Sequence, residues 1–298
     1  MFSIEQTLDA ALKSFQRVPL EAVSSRLRKM TMKFDEIAKA RKTKPANQIF
    51  LFNCEIPAEK KRIEYFDIKI DHGSFDYHAV IDLCIDHHLS KFSDLEIILV
   101  TDGGYRRREI HPRVLVVDLE IEGAAPMYER VFAMASFVRS QLFNAPTVFL
   151  DTDAILAKPA GYAFQTKFDV AVTTREVPGL MPVNEGVIFA RPGKGALQFF
   201  NSYVMTYEAL TENSVIREIY GDVKRWRGGQ LSLNVVTRSL LSLANGPRIA
   251  CLPCDYFNRT LESGEVVPPG ELFQIAVFHF KGNRKQMMGD VVAQLKQF

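Results

Sequence analysis

From residue 49 onward, short uninterrupted apolar runs alternate with stretches of helical length, and that alternation leaves the chain few ways to fold. The runs at residues 49–53, 95–101, 113–119, 147–150, 169–173, 186–189, 249–252 and 275–280 read as strands buried on both faces. Helical patterns fill the intervals at residues 76–89, 127–142, 195–210 and 230–243. Alternation of this kind predicts an α/β domain with a mainly parallel central sheet flanked by helices. In such sheets the ligand crevice opens at the carboxyl ends of the strands, so the residues after each apolar run are where chemistry belongs. Neither common phosphate loop is present: no G-x-G-x-x-G follows the first strand, and no G-x-x-x-x-G-K-[ST] occurs anywhere.

Upstream, residues 3–42 read as helical, with Leu8, Leu12, Phe15, Val18, Leu20, Val23, Leu27, Met30 and Ile37 at near-helical spacing and Pro19 dividing the stretch. Residues 42–48 (KTKPANQ) are polar and carry Pro45, which predicts a linker between a helical extension at 1–45 and a domain at 46–298. Residues 1–44 hold ten Lys or Arg against five Asp or Glu, a local charge of +5. This reads as a helical extension packed on the domain with a solvated basic face; peripheral contact with an anionic membrane is the competing reading. The whole chain of 298 residues carries a net charge of only +2, which does not mark a nucleic-acid binder. Four cysteines (Cys54, Cys84, Cys251 and Cys254) are too few for a disulfide scaffold, and the C-x-x-C of the last two lacks a second ligand pair for zinc. No apolar run approaches the roughly 20 residues that cross a bilayer, and residues 1–11 do not read as a signal peptide, so the expectation is a cytoplasmic protein, at most peripheral to a membrane.

The most informative stretch is residues 147–159 (TVFLDTDAILAKP), where an apolar strand runs directly into Asp151-Thr152-Asp153. Two acids separated by one residue can point the same way once a strand ends. At a carboxyl edge they make a hard, oxygen-rich cation site of the kind that Mg²⁺ and Mn²⁺ favour, with substrate phosphates completing the shell. Alone, D-x-D is also an ordinary exposed acidic turn. Residues 276–285 (AVFHFKGNRK) add a second element: a strand leading to His279, then Gly282, then Lys285. An imidazole suits Mn²⁺ better than Mg²⁺, glycine permits close backbone approach to a phosphate, and lysine neutralises phosphate charge.

Five motifs now stand in one order: Tyr128-Glu129-Arg130, Asp151-Thr152-Asp153, Asn184-Glu185-Gly186-Val187, Gln230-Leu231-Ser232-Leu233-Asn234, and His279 to Lys285. The ordered set resembles the GT-A glycosyltransferases, and most closely the retaining glycosyltransferase family 8, which includes the glycogenin and bacterial galactosyltransferase types. The resemblance covers residues 49–285. It implies a GT-A type nucleotide-diphospho-sugar transferase fold and a metal-dependent transfer from a nucleotide diphosphate sugar, a UDP-sugar in particular, to an acceptor hydroxyl. It implies Asp151, Asp153 and His279 as ligands of Mn²⁺ (or Mg²⁺), with Thr152 between the two acids as a donor-binding residue. Gly282 and Lys285 become diphosphate contacts, and Arg130 and Asn184 donor-sugar contacts. Gln230 matches the glutamine beside the anomeric carbon, and the loop from Asn53 to Glu55 is the expected place for base and ribose.

One departure stands out. The family's acid before that glutamine is Gly229 here. Glu185 and Asp222 are the candidate replacements, with Glu185 the catalytic carboxylate next to Gln230. Two other readings compete. A haloacid-dehalogenase-type phosphatase would use Asp151 as nucleophile; it normally opens with its D-x-D strand, whereas here about half the chain precedes Asp151. A non-catalytic nucleotide-sugar-binding protein is the other, allowed by Gly229. The acceptor, saccharide or lipid-linked, is not written in the sequence, although Arg225-Trp226-Arg227 offers a sugar or phosphate platform.

Overall fold

Period-two alternation inside the apolar strands sorts their side chains onto two helical layers. The computed structural model that shows this describes residues 20–41, 43–56, 62–65, 68–71, 76–105, 110–176, 182–224 and 227–297. In chain order the elements are α1 (Leu20–Ala40), β1 (Asn47–Phe52), β2 (Arg62–Tyr65), β3 (Ile68–Asp71), α2 (Tyr77–Lys91), β4 (Leu95–Thr101), β5 (Val114–Asp118), α3 (Pro126–Arg139), β6 (Thr147–Leu150), β7 (Ala154–Leu156), β8 (Val170–Thr174), β9 (Val183–Ala190), α4 (Lys194–Glu212), α5 (Ser214–Tyr220), α6 (Gly228–Leu241), β10 (Ile249–Pro253), β11 (Val277–His279) and α7 (Met288–Leu295), with short helical turns between some of them. The main sheet has the order β10-β8-β9-β6-β1-β4-β5. Every pairing in it is parallel except those of β9, which runs antiparallel to both β6 and β8.

On one face Phe50, Ile98, Phe149, Val172 and Ile188 pack against α1, α3, α4 and α6. On the other, Ile49, Leu51, Ile97, Leu99, Val148 and Phe189 pack against α2, α7 and the two-stranded β7–β11 sheet. The first face is held by a file of rings: Phe34 to Phe137 at 5.5 Å between centroids, Phe137 to Phe50 at 5.2 Å, Phe50 to Phe149 at 5.2 Å and Phe149 to Phe200 at 4.8 Å. Such pairs contribute about 0.5–1.5 kcal/mol each beyond their buried area.

Helix α1 belongs to this packing. Val23, Leu27, Met30 and Phe34 fall on one stripe and join the core cluster beneath α3. Thr31 Oγ1 donates to the Ser136 carbonyl at 3.3 Å, and just beyond the helix Arg41 pairs with Glu96 at 2.9 Å. The basic residues Arg28, Lys29, Lys33 and Lys39 lie on its exposed side. The part of the helical stretch before Leu20 lies outside the described residues. Among those described, no helix is long and apolar enough to cross a membrane.

Three elements differ from the sequence expectation. Asn47 and Gln48, read as linker, open β1; the Gln48 amide is fully buried and donates to Glu96 and to the Leu142 carbonyl, which masks its polarity. The run at 186–189 is the second half of a longer antiparallel strand, β9. Residues 154–156 form β7, a strand too short to leave a periodic trace.

One edge of β7 pairs with β11. Its other edge is satisfied by side chains of α2. Cys84 Sγ donates to the Ala154 carbonyl at 3.4 Å, His87 Nε2 lies 2.8 Å from the Leu156 carbonyl, and the Leu156 amide donates to His88 Nε2 at 3.0 Å. His88 must be neutral to accept from the Leu156 amide while its Nδ1 donates to the Cys84 carbonyl, and burial pushes both histidines down, His87 to about 4 and His88 to about 3, with His87's proximity adding to the effect on His88. The unfolded chain binds these protons near pH 6.5 and the folded chain does not, so the two histidines' contribution to stability is flat above that pH and falls as the pH drops toward 4. At about 1.36 kcal/mol per pH unit, His87 alone accounts for roughly 3 kcal/mol of that fall. Urea denaturation at pH 7 and pH 4.5 measures it. In His87→Gln, whose amide can still donate to the Leu156 carbonyl, the fall between the two pH values should shrink by that share; an unchanged fall would remove His87 as its source.

A candidate cation centre at the strand ends

Strand β6 stops at Leu150, and the next four residues turn sharply. The Asp151 amide donates to the Gly186 carbonyl at 3.0 Å, and the Ala154 amide donates back to the Asp151 carbonyl at 3.0 Å. This turn puts both carboxylates on one side of the chain. Strand β7 then pairs with β11 so that Ala154 sits opposite His279, and the Phe280 amide donates to the Asp153 carbonyl at 2.8 Å. The pairing delivers the imidazole: His279 Nε2 lies 3.3 Å from Asp151 Oδ2 and 3.2 Å from Asp153 Oδ1. One ligand atom from each of the three residues falls within 4.8 Å of the others. Two carboxylates and one imidazole on so small a patch are a donor set suited to a divalent cation.

The imidazole is aimed by a residue the sequence reading missed. His279 Nδ1 lies 2.8 Å from Asn258 Oδ1, and Asn258 Nδ2 donates to Thr173 Oγ1 at 2.8 Å. An amide oxygen only accepts, so Nδ1 carries a proton, which leaves Nε2, the nitrogen turned toward the acids, as the one a metal would take. Asn258 is buried, far in sequence from every motif, and looks like any loop asparagine; its only sequence signal is its place ahead of the β11 run. Asn258→Ala is expected to weaken Mn²⁺ binding about 10–100-fold with the three ligands intact. Calorimetric titration of Mn²⁺ checks this, and unchanged affinity would deny Asn258 the role.

Cationic groups ring the acids. Arg130, buried on α3, sets Nη2 2.8 Å from Asp151 Oδ1 and Nη1 3.3 Å from Glu185 Oε1. Lys285 Nζ lies 2.7 Å from Asp153 Oδ2. Burial pushes the Asp153 carboxyl up, but His279 and Lys285 outweigh it and hold it below the usual carboxylate range. Burial, helped by Arg175, lowers Lys281 to about 8. Burial also pushes Glu185 up to about 7, against the pull of Arg130.

The Asn-x-Gly motif acquires its reason here. The β8–β9 register shifts between Val172 and Thr173, pairing Val172 with Ile188 but Thr173 with Asn184, so β9 bulges at Glu185 to Val187. Asn184 Oδ1 accepts from the Gly186 amide at 2.9 Å and holds the bulge. A Cβ on Gly186 would lie 2.3 Å from His279 Cε1 and 2.9 Å from Asp151 Oδ2, so only glycine lets β9 pass beneath the acids.

The remaining residues singled out from sequence are distributed as follows. Thr152 is half-buried between the two acids. Gly282 adopts φ +57 with open space above it. Gln230 sits in the first turn of α6, half-buried, after Arg227 in the left-handed region at φ 64. Asn53 follows β1, its amide bonded to the Val100 carbonyl at 2.9 Å. Asp222 is exposed, with its carboxylate on the Lys224 amide at 3.1 Å. Arg225 and Trp226 lie outside the described residues.

Together, sheet order and strand-end acids define a GT-A fold with a candidate divalent-cation centre. No protein-family model matches the sequence, and no curated protein matches it. Solved structures do. The apo structure of the bifunctional glycosyltransferase WbbM aligns with 86% of this chain at 11% identity and a TM-score of 0.53, although the chain spans only 50% of WbbM. A glycosyltransferase involved in glycosylation of the major capsid of PBCV-1 aligns with 83% of this chain and 99% of its own at 14% identity and a TM-score of 0.45. The glycosyltransferase GlyE of Streptococcus pneumoniae aligns with 86% of this chain and 63% of its own at 13% identity and a TM-score of 0.48. At 11% identity the likeness to WbbM is one of fold.

Proposed function

We propose that the chain is a metal-dependent glycosyltransferase that moves a sugar from a nucleotide diphosphate sugar, a UDP-sugar, to an acceptor hydroxyl with retention of configuration. The observation that carries this reading is the convergence of Asp151, Asp153 and His279 at the carboxyl end of β6. Mn²⁺ is the proposed ion, since the donor set mixes imidazole with carboxylate; bound there, it would supply Lewis-acid stabilisation of a departing diphosphate.

The chain's own residues divide the rest of the work. Lys285 offsets the charge that grows on the leaving diphosphate. Gly282, with no side chain and a left-handed φ, lets backbone approach a phosphate closely. Arg130 holds Asp151 and Glu185 in fixed relation, and with Asn184 contributes to the donor-sugar side. Gln230 and Glu185 are the proposed groups nearest the reacting carbon. Asn53 lies on the base and ribose side. With retention the acceptor hydroxyl attacks from the face the diphosphate leaves as the sugar–diphosphate bond breaks, its proton passes to the departing phosphate oxygen, and no separate base is needed. The acceptor is a saccharide or a lipid-linked saccharide, reached in the cytoplasm or at a membrane surface; no nucleic acid is involved.

A thermal-shift series with UDP, GDP and their hexose conjugates, with and without Mn²⁺, tests the reading. A ligand held by the folded state must raise stability by mass action, by about 2.7 kcal/mol at a hundredfold excess over Kd. A rise that needs both nucleotide and Mn²⁺ is expected; no rise with any pair would refute the proposal.

A further inference from the structure

Glu185 occupies space that a side chain at position 229 would otherwise fill. A Cβ built on Gly229 would lie 2.3 Å from both carboxylate oxygens of Glu185 and 2.6 Å from its Cδ. The two positions come from different elements, β9 and the first turn of α6, and meet only in the fold. The carboxylate cannot simply step aside. It is buried, it faces Arg130 Nη1 at 3.3 Å, and its own backbone carbonyl accepts from Arg130 Nη2 at 3.2 Å. Below it, Tyr203 Oη donates to the Gly229 carbonyl at 2.9 Å and pins the start of α6 against α4. The same guanidinium reaches Asp151, so one side chain separates Glu185 from the cation centre. Asp222, the other candidate acid, is exposed and engaged with the Lys224 amide.

Resting on the glycosyltransferase reading above, we propose that Glu185 and Gly229 form one specificity unit: the carboxylate that receives the donor's hexose enters from β9, and Gly229 is the room it needs. A hexose joined to a diphosphate at the cation centre must lie beside that centre, and Arg130 places Glu185 there. An ionised carboxylate only accepts hydrogen bonds, and a pair of neighbouring sugar hydroxyls donates two. A hexuronate would instead bring a second negative charge against a buried one, and the site discriminates against it. The class selected is therefore a neutral, hydroxyl-bearing hexose.

Calorimetry near pH 8 with Mn²⁺ tests this, using UDP, UDP-glucose, UDP-galactose and UDP-glucuronate. Wild type is expected to bind UDP, and to bind at least one neutral hexose conjugate at least tenfold more tightly than UDP-glucuronate. Glu185→Ala should keep UDP affinity within about threefold and lose that preference. Gly229→Ala should lose it too by forcing the carboxylate off Arg130, with a lowered melting temperature and an unchanged circular dichroism spectrum as the check on folding. Glu185→Ala combined with Gly229→Asp returns a carboxylate to the same space from α6 and should recover at least a third of the preference. Retention of the preference in Glu185→Ala, or a double variant no better than that single one, overturns the proposal. Wild type that binds UDP but does not discriminate overturns it too and leaves the glycosyltransferase reading standing; wild type that fails to bind UDP with Mn²⁺ counts against that reading.

Discussion

Asp153→Asn is expected to lower Mn²⁺-dependent sugar transfer by about 10²–10³-fold, the cost of removing one preorganised charge contact of roughly 2.7–4 kcal/mol. Asparagine keeps the size of the side chain and can still bond to its neighbours, so the turn between β6 and β7 survives. What it cannot do is match the charge of a divalent cation or answer Lys285, which lies 2.7 Å from Asp153 Oδ2. The loss should appear in turnover and in Mn²⁺ affinity together. Steady-state kinetics over a Mn²⁺ series measures both, and full activity at low Mn²⁺ would remove Asp153 from the site.

Gly186→Ala should be as damaging, though it deletes no ligand. The added methyl would lie 2.3 Å from His279 Cε1, 2.6 Å from His279 Nδ1 and 2.9 Å from Asp151 Oδ2, inside contact distance of two of the three ligands. His279 is buried and tied through Nδ1 to Asn258, so it can yield only by giving up that bond. Strand β9 is central in the sheet and cannot withdraw either. The expected outcome is loss of Mn²⁺ binding by about 10²-fold or more with the helical and strand content unchanged, since losing one electrostatic contact alone costs that much. Circular dichroism beside Mn²⁺ calorimetry separates the two effects. Wild-type affinity in this variant would mean that the ligands are not where β9 confines them.

The interior strands of the main sheet were legible because burial on both faces leaves an unbroken apolar run, and the long helices through their apolar periodicity; the edge strands β5 and β10, only partly buried, were legible from apolar content alone. Residues 95–101 and 147–150 match their strands end to end. What stayed hidden depends on contacts rather than pattern. Strand β7 is three residues long, and its free edge is completed by Cys84, His87 and His88, whose side chains could not be assigned to a strand edge from α2 alone. Gln48 reads as linker because its partner, Glu96, is 48 residues away. The antiparallel course of β9 and its bulge follow from the register with β8, which apolar content does not encode.

The cation ligands were legible as residue types following strands, while their orientation was not. Asn258 carries no motif, and the meeting of Gly229 with Glu185 spans β9 and α6, so a glycine that reads in sequence as a missing acid is, in the fold, room for another one. Glycines 186 and 229 both make their point through what a Cβ would strike.

Anomalous diffraction from crystals grown with Mn²⁺ and UDP tests the central claim most directly. The account predicts a single strong peak at the carboxyl end of β6, within about 2.3 Å of a carboxylate oxygen of Asp151, one of Asp153 and Nε2 of His279, with phosphate oxygens filling the remaining positions. A peak elsewhere, or the three side chains turned away from a shared point in the presence of both ligands, would contradict it.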